Sequence, residues 1–190
     1  MKRVFIIHGW GSNPKQDWFP WLKKELESKE FKVEIPTMPN TDEPKINKWV
    51  GFLKKIIKNP DKETYFIGHS IGCQTILRYL ENLDKDVKIG GCIFVAPWFN
   101  LIPEPIEEEG GTEIARPWIE TQIDTEKVKK HTNKFLAIFS DNDPVVPLTD
   151  SKLFKERLNA KIIIEHNKGH FNASDGVKEI RIVVDQLLKW

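Results

Sequence analysis

The chain has 190 residues and a formal net charge of +1, with acidic and basic residues interspersed. This balance lacks the strong positive field typical of proteins that bind nucleic acids or anionic membranes. The first apolar run, Val4–Ile7, is broken at once by His8-Gly9, so it is too short for a signal-peptide core or a membrane span. Cys73 and Cys92 each fall in an apolar pattern typical of buried free thiols. We therefore expect a cytoplasmic, single-domain protein with no nucleic-acid or membrane partner.

The first predicted element is a buried strand over Val4–Ile7, followed by a glycine-containing loop at 8–14. Backbone N–H groups in such a loop can point at a developing negative charge. Gly9 and Gly11 also suggest a dinucleotide-binding turn, but Pro14 holds the place of the third glycine and no acidic residue follows the second strand in the required pattern. We therefore expect no nucleotide cofactor.

Strand and helix patterns alternate along the next part of the chain. Asp17 is predicted to cap a helix over 18–28, an alternating strand follows at 31–35, and a second helix is predicted over 46–58. The segment between them, 36–44, is proline-rich and predicts a loop.

The segment Gly68-His69-Ser70-Ile71-Gly72 follows a predicted strand and precedes a predicted helix. This setting is that of a nucleophile elbow, a sharp turn that exposes a serine hydroxyl and leaves room only for glycine on both sides. Ser70 is the candidate nucleophile. The N–H of Ile71, at the start of the helix, is a candidate donor to an oxyanion.

The segment 97–122 contains four prolines, an acidic run at 107–109 and Gly110-Gly111. It cannot form one continuous element, and we expect an irregular insertion. Its aromatic residues argue against disorder, so the insertion is either a lid or pocket wall or a loop that its aromatics pin to the body.

Two acidic candidates follow the fifth predicted strand, 135–139: Asp141 and Asp143, the latter just before a proline-rigidified turn. The spacing of Asp141 and Asp143 also occurs in some calcium loops, but the prolines and the missing glycine and glutamate argue against one. His170 follows the sixth strand, 162–164, in a loop, and His166 is a rival base closer to that strand. No Cys, His and Asp grouping has metal-ligand spacing, so we expect no metal.

Six alternations of strand and helix predict a mostly parallel sheet with helices on both faces. The residues that carry chemistry all follow strands. Because the carboxyl ends of parallel strands lie at the same edge of a sheet, the loop at Gly9–Gly11 can meet Ser70, Asp143 and His170 there.

These motifs, with the Trp18–Leu22 segment, resemble the α/β-hydrolase superfamily over nearly the whole length of the chain, and within it the small hydrolases that include retinoblastoma-binding protein nine and bacterial relatives. The order Ser, Asp, His is the one expected for this superfamily. The resemblance implies a three-layer α/β-hydrolase fold over 1–190. It also implies Ser70 as nucleophile, His170 as base, Asp143 as orienting acid and Asp141 as an accessory residue.

The implied activity is hydrolysis of a small acyl substrate through an acyl-enzyme, with the N–H groups of Trp10 and Ile71 and the loop at Gly9 around the oxyanion. Aromatic side chains are candidates for an apolar acyl pocket: Trp10, Trp98, Phe99 and Trp118. His8 and His69 are expected to fix loops, and His131 to lie at a solvated helix end. A non-catalytic binding module on the same fold and a small serine peptidase are the alternatives.

Overall fold

The structure is a computed structural model that describes residues 1–108 and 110–190. In these ranges six strands form one sheet: β1 (Arg3–Ile7), β2 (Lys32–Glu34), β3 (Thr64–His69), β4 (Gly91–Val95), β5 (Phe135–Ser140) and β6 (Lys161–Glu165). All neighbouring strands pair in parallel, in the order β2-β1-β3-β4-β5-β6. Strand β3, in the middle of the sheet, is buried along its whole length.

Helices connect the strands, as parallel pairing requires. The described residues form α1 (Phe19–Glu27), α2 (Ile46–Ile56), α3 (Ile71–Glu81), α4 (Pro103–Glu108), α5 (Thr112–Glu120), α6 (Thr125–Lys129), α7 (Asp150–Leu158) and α8 (Arg181–Leu188), with a short 3₁₀ turn at Ala173–Asp175.

Two apolar layers cover the sheet, one on each face. Alternate side chains of each strand point to opposite faces. Val4 and Ile6 of β1 pack with α1 and α8, whereas Phe5 and Ile7 pack with α2, α3 and α7. The predicted arrangement of a parallel sheet with helices on both faces is confirmed.

The strand register brings the carboxyl ends of the central strands together. Ile7 at the end of β1 pairs with Gly68 of β3, and His69 pairs with Val95 at the end of β4. The loops that follow these strands therefore leave the sheet at one edge.

One helix prediction was wrong in detail. Asp17 does not cap α1; it has φ +52°, and its carboxylate instead accepts hydrogen bonds from the N–H of Ala173 and the hydroxyl of Ser12. The last helix, α8, begins at Arg181, after the 3₁₀ turn with its capping box at Ala173–Asp175.

The segment 97–122 does not form one continuous element, as predicted, but it contains two short helices, α4 and α5, rather than loop alone. Pro103 stands at the first residue of α4, where its missing N–H costs no hydrogen bond. Pro117 lies inside α5. Of the acidic run at 107–109, Glu109 lies outside the described residues.

Candidate active site

Ser70 occupies the junction between β3 and α3 with φ +52° and ψ −122°. A residue with a side chain is strained in this region, and the surrounding structure must hold it there. The side chain is almost buried, with 9% of the residue exposed. The backbone therefore has the geometry expected of a nucleophile elbow.

The glycines on both sides of Ser70 are required by close approach of other chain segments. A Cβ atom at Gly72 would overlap the carbonyl oxygens of Ile7 and His8 at the end of β1. A Cβ atom at Gly68 would lie 2.7 Å from the backbone nitrogen of Cys73. This confirms the predicted reason for the Gly-x-Ser-x-Gly pattern.

Asp143 and His170 are joined by a hydrogen bond. The Nδ1–H of His170 donates to the Asp143 carboxylate, at 2.9 Å from Oδ2 and 3.1 Å from Oδ1. The Asp143 side chain is 2% exposed and the His170 side chain 12%. Oδ1 also accepts from the N–H groups of Val145 and Val146, at 2.8 and 3.0 Å, so the carboxylate is fixed by its own turn.

The loop that carries His170 is bound to the elbow through His69. The Nε2–H of His69 donates to the backbone carbonyl of His170 at 2.8 Å, and the two rings lie 5.2 Å apart between centroids. Burial lowers the pKa of His69 to about 3, with a smaller contribution from the neighbouring His170, so His69 is neutral. Of the two hydrogen bonds that would link Asp143, His170 and Ser70, the structure contains the one between Asp143 and His170. Within the described ranges the Ser70 hydroxyl has no hydrogen-bond partner.

The loop after β1 places Gly9 and Trp10 beside the elbow. A Cβ atom at Gly9 would lie 3.6 Å from the Cβ of Ser70, so this loop passes close to the serine. Buried His8 fixes the loop: its Nε2 accepts from the N–H of Met38 and its Nδ1–H donates to the Gly9 carbonyl. The N–H of Ile71, first in α3, has no acceptor within its own helix.

Asp141 and His166 form a separate, exposed pair away from this arrangement. The His166 Nδ1 lies 2.5 Å from Asp141 Oδ2, and the Asp141 Oδ1 accepts from the N–H of Asn167. The hydrogen bond to Asp141 raises the pKa of His166. Asp141 follows β5 and His166 follows β6, so the pair joins the ends of these neighbouring strands before the loop that leads to His170.

Several predicted roles of aromatic and histidine side chains need correction. His131 is buried, not solvated, and its Nδ1–H donates to the carbonyl of Val87. Trp98 is buried in the core. Trp118 is also buried, but it lines an apolar cavity between α5 and the segment after Asp42. Phe99 is half-buried and stacks on Phe154.

Trp10 is half-buried, and it contacts the helical segment after β4. A Cβ atom at Gly111, which caps α5, would lie 2.8 Å from the Trp10 ring. The indole N–H of Trp10 donates to the carbonyl of Asp42. An apolar cavity of about 540 Å³ lies between the segment after Asp42 and α5. Its lining includes Pro44, Ile46, Ile114, Pro117 and Trp118.

The family profile described as serine hydrolase matches residues 4–189. The chain belongs to the serine hydrolase family. It is therefore a hydrolytic enzyme, and its parallel sheet with helices on both faces is the α/β-hydrolase fold.

Relatives of this serine hydrolase align over nearly its whole length. The Bacillus subtilis protein YdeN is 30% identical over 189 residues, covering 100% of this chain and 96% of that one. The crystal structure of the ydeN gene product superposes with a TM-score of 0.91 and covers 100% of this chain and 98% of the other. Serine hydrolase RBBP9 of Rattus norvegicus is 26% identical over 181 residues, covering 95% and 91%.

More distant solved structures share the fold of this serine hydrolase. Est1E of Butyrivibrio proteoclasticus, solved with ferulic acid bound, has a TM-score of 0.67 at 17% identity and covers 99% of this chain and 90% of its own. In residues 1–108 and 110–190, no cluster of three or more His, Cys, Asp or Glu side chains is arranged to hold a metal ion. Nor does any helix in this part of the chain have the length and apolarity needed to span a membrane.

Proposed function

We propose that Ser70, His170 and Asp143 form a catalytic triad that hydrolyses small esters through an acyl-enzyme. The observation that carries the proposal is the buried Asp143 carboxylate bound to the Nδ1–H of His170. A proton on Nδ1 leaves Nε2 unprotonated, and an unprotonated Nε2 is the group that a general base needs. The strained Ser70 is one residue from His69, which binds the backbone of His170.

In the proposed reaction the His170 Nε2 takes the Ser70 proton as Oγ attacks the ester carbonyl carbon. The alkoxide leaves with the proton that His170 has taken, and an acyl group remains on Ser70. Water then attacks the acyl carbon, again with His170 as base, and releases the acid and free Ser70. Asp143 holds the ring and stabilises the imidazolium that forms in both steps.

The N–H groups of Trp10 and Ile71 are the proposed oxyanion donors, with Gly9 providing room for the substrate beside Ser70. Each such donor is worth about 3 kcal/mol of transition-state stabilisation in comparable sites. Ile71 is well suited because its N–H is free within α3 and the helix start carries partial positive charge.

We further propose that the 97–122 segment is a wall of the substrate pocket within a single domain spanning 1–190. Gly111 of this segment lies against Trp10 in the proposed oxyanion loop. Asp150, at the start of α7, anchors the segment by accepting from the N–H groups of Phe99 and Asn100. The apolar cavity between α5 and the segment after Asp42, whose carbonyl accepts from the Trp10 indole, then receives the apolar part of a small ester.

Labelling with a fluorescent fluorophosphonate tests the proposed nucleophile. Native wild type should label, whereas Ser70→Ala and heat-denatured protein should not. Ser151→Ala is the matched control, because Ser151 is a serine on α7 that donates only to a backbone carbonyl, and it should label like wild type. A folded wild type that fails to label would contradict the proposal and favour a binding module without turnover.

The proposed pocket is tested by acyl chain length. Ile114→Trp should fill part of the apolar cavity and shift the preference of kcat/KM towards shorter p-nitrophenyl esters. Ile119→Trp, on the same helix but outside this cavity, is the matched control. An unchanged chain-length profile in Ile114→Trp would place the acyl group elsewhere.

A further inference from the structure

A second cleft lies beside α3, next to the end of α5 and the loop after it. Its volume is about 460 Å³, similar to that of a small-molecule site. Polar and aromatic side chains from α3, α5, α7 and the connecting loops line it, among them Gln74, Arg78, Phe99, Trp118, Thr121 and Arg157. We refer to this set of residues as the arginine cleft.

Arg78 contributes a buried positive charge to the arginine cleft. The residue is 2% exposed, and its Nη2 donates to the carbonyls of Trp118 and Thr121 at 2.9 and 2.7 Å. Its buried Nε has no hydrogen-bond partner among the described residues. Burial lowers the pKa of Arg78, and the charge of Glu81 opposes that effect from beyond ion-pair distance. Backbone carbonyls carry only partial charge, so a formal positive charge remains in the cleft.

A second guanidinium reinforces this field. Arg157 of α7 lies over the ring of Phe99, 4.8 Å from its centroid, and lines the same cleft. The chain has 24 lysines and five arginines, so two of the five arginines lie in one cavity. An arginine fork suits planar or tetrahedral oxyanions better than a lysine does.

No acidic side chain among the described residues lines the cleft to balance the two arginines. Asp150 is close in the fold, but its carboxylate is already occupied by Phe99 N–H and by the backbone and side-chain N–H groups of Asn100. Gln74, one turn before Arg78 on α3, has a buried Oε1 without a partner in these ranges. The cleft wall therefore has polar groups that the described residues do not satisfy.

We propose that the arginine cleft binds a small molecule that carries a carboxylate or phosphate group. Arg78 and Arg157 are the charged contacts, and the rings of Phe99 and Trp118 contact the rest of the molecule. The site is separate from the proposed nucleophile. Arg78 is eight residues after Ser70 on α3, about 12 Å along the helix axis.

Isothermal titration with inorganic phosphate and with succinate, each in a chloride buffer, tests this site. Wild type should show saturable binding of at least one of the two anions, and the one that binds more tightly identifies the chemistry. Arg157→Gln should weaken binding by about tenfold or more, as expected for loss of a charged hydrogen-bond donor. Arg181→Gln, an exposed arginine on α8 outside the cleft, is the matched control and should bind like wild type.

Two further variants make the result decisive. Ser70→Ala should retain anion binding, since the cleft does not include Ser70. Arg78→Gln should lose anion binding. Because Arg78 also donates to carbonyls at the end of α5, the folding of this variant is checked first. If Arg78→Gln does not fold, the comparison of Arg157→Gln with Arg181→Gln tests the proposal. The proposal would be overturned if neither anion bound saturably, or if Arg157→Gln and Arg181→Gln weakened binding equally. Loss of anion binding in Ser70→Ala would also overturn it.

Discussion

Replacing Asp143 by Asn tests the proposed triad through the position of a single proton. Oδ1 of Asp143 accepts from the N–H groups of Val145 and Val146, so an asparagine must keep its carbonyl oxygen at that position. Its NH₂ group then stands where Oδ2 now faces the His170 Nδ1, 2.9 Å away. Two donors cannot meet there, so His170 turns its unprotonated nitrogen to the amide and carries its proton on Nε2. In this tautomer Nε2 cannot accept the Ser70 proton.

The wrong tautomer costs about 10⁴-fold in kcat in a serine protease, or about 5 kcal/mol at 1.36 kcal/mol per tenfold. We expect a loss of this order for Asp143→Asn with p-nitrophenyl acetate, with thermal stability close to that of wild type. Asp141→Asn is the matched control, because Asp141 binds only the exposed His166 and a loop N–H, and it should retain most activity. If Asp143→Asn stays within tenfold of wild type while Asp141→Asn is inactive, the assignment of the two acids is wrong.

Three further measurements concern the elbow and the core. Gly72→Ala should destabilise the fold by at least about 1–3 kcal/mol in urea denaturation, because its Cβ overlaps the carbonyl of Ile7; an unchanged midpoint would show that β1 and α3 can separate freely. The pKa of His69 is lowered to about 3 from its usual value of 6.5, so below pH 6.5 the unfolded state binds the extra proton and the free energy of unfolding falls as the pH is lowered. Between pH 3 and pH 6.5, His69→Gln should reduce the slope of the unfolding free energy against pH by up to about 1.4 kcal/mol per pH unit. An equal slope in wild type and His69→Gln would argue against a buried neutral histidine. Cys73 and Cys92 are buried, and burial raises the pKa of both thiols, so neither should react with a thiol reagent in the native protein and both should react in urea.

The strands and the elbow were predictable because their signals are local. Continuous apolar runs mark strands buried on both faces, as in β3, and a Gly-x-Ser-x-Gly turn between strand and helix has one steric explanation. Because Asp143 and His170 both follow strands, parallel topology then predicted that they lie at the same edge of the sheet. Choosing Asp143 over Asp141 needed the family resemblance, since both follow β5, and the structure places only Asp143 beside His170.

Features that depend on distant contacts were not predictable. The polar partner of His131 is a carbonyl 44 residues away, and nothing in the local sequence distinguishes this buried histidine from an exposed one. Asp17 has the residue type and position of a helix cap, but tertiary contacts with Ser12 and Ala173 take its carboxylate instead. Arg78 lies among apolar residues in the pattern of α3, and the charge pattern of the sequence does not reveal that it is buried.

The conformation of Ser70 also has a consequence for protein engineering. A positive φ with a side chain costs about 1–3 kcal/mol, and a glycine at that position would relieve most of it at the expense of the proposed nucleophile. Selection for thermal stability alone would therefore favour a glycine at position 70, which removes the proposed nucleophile. Stabilising substitutions for this scaffold are better sought at surface positions far from the elbow, where resistance to heat and turnover do not compete.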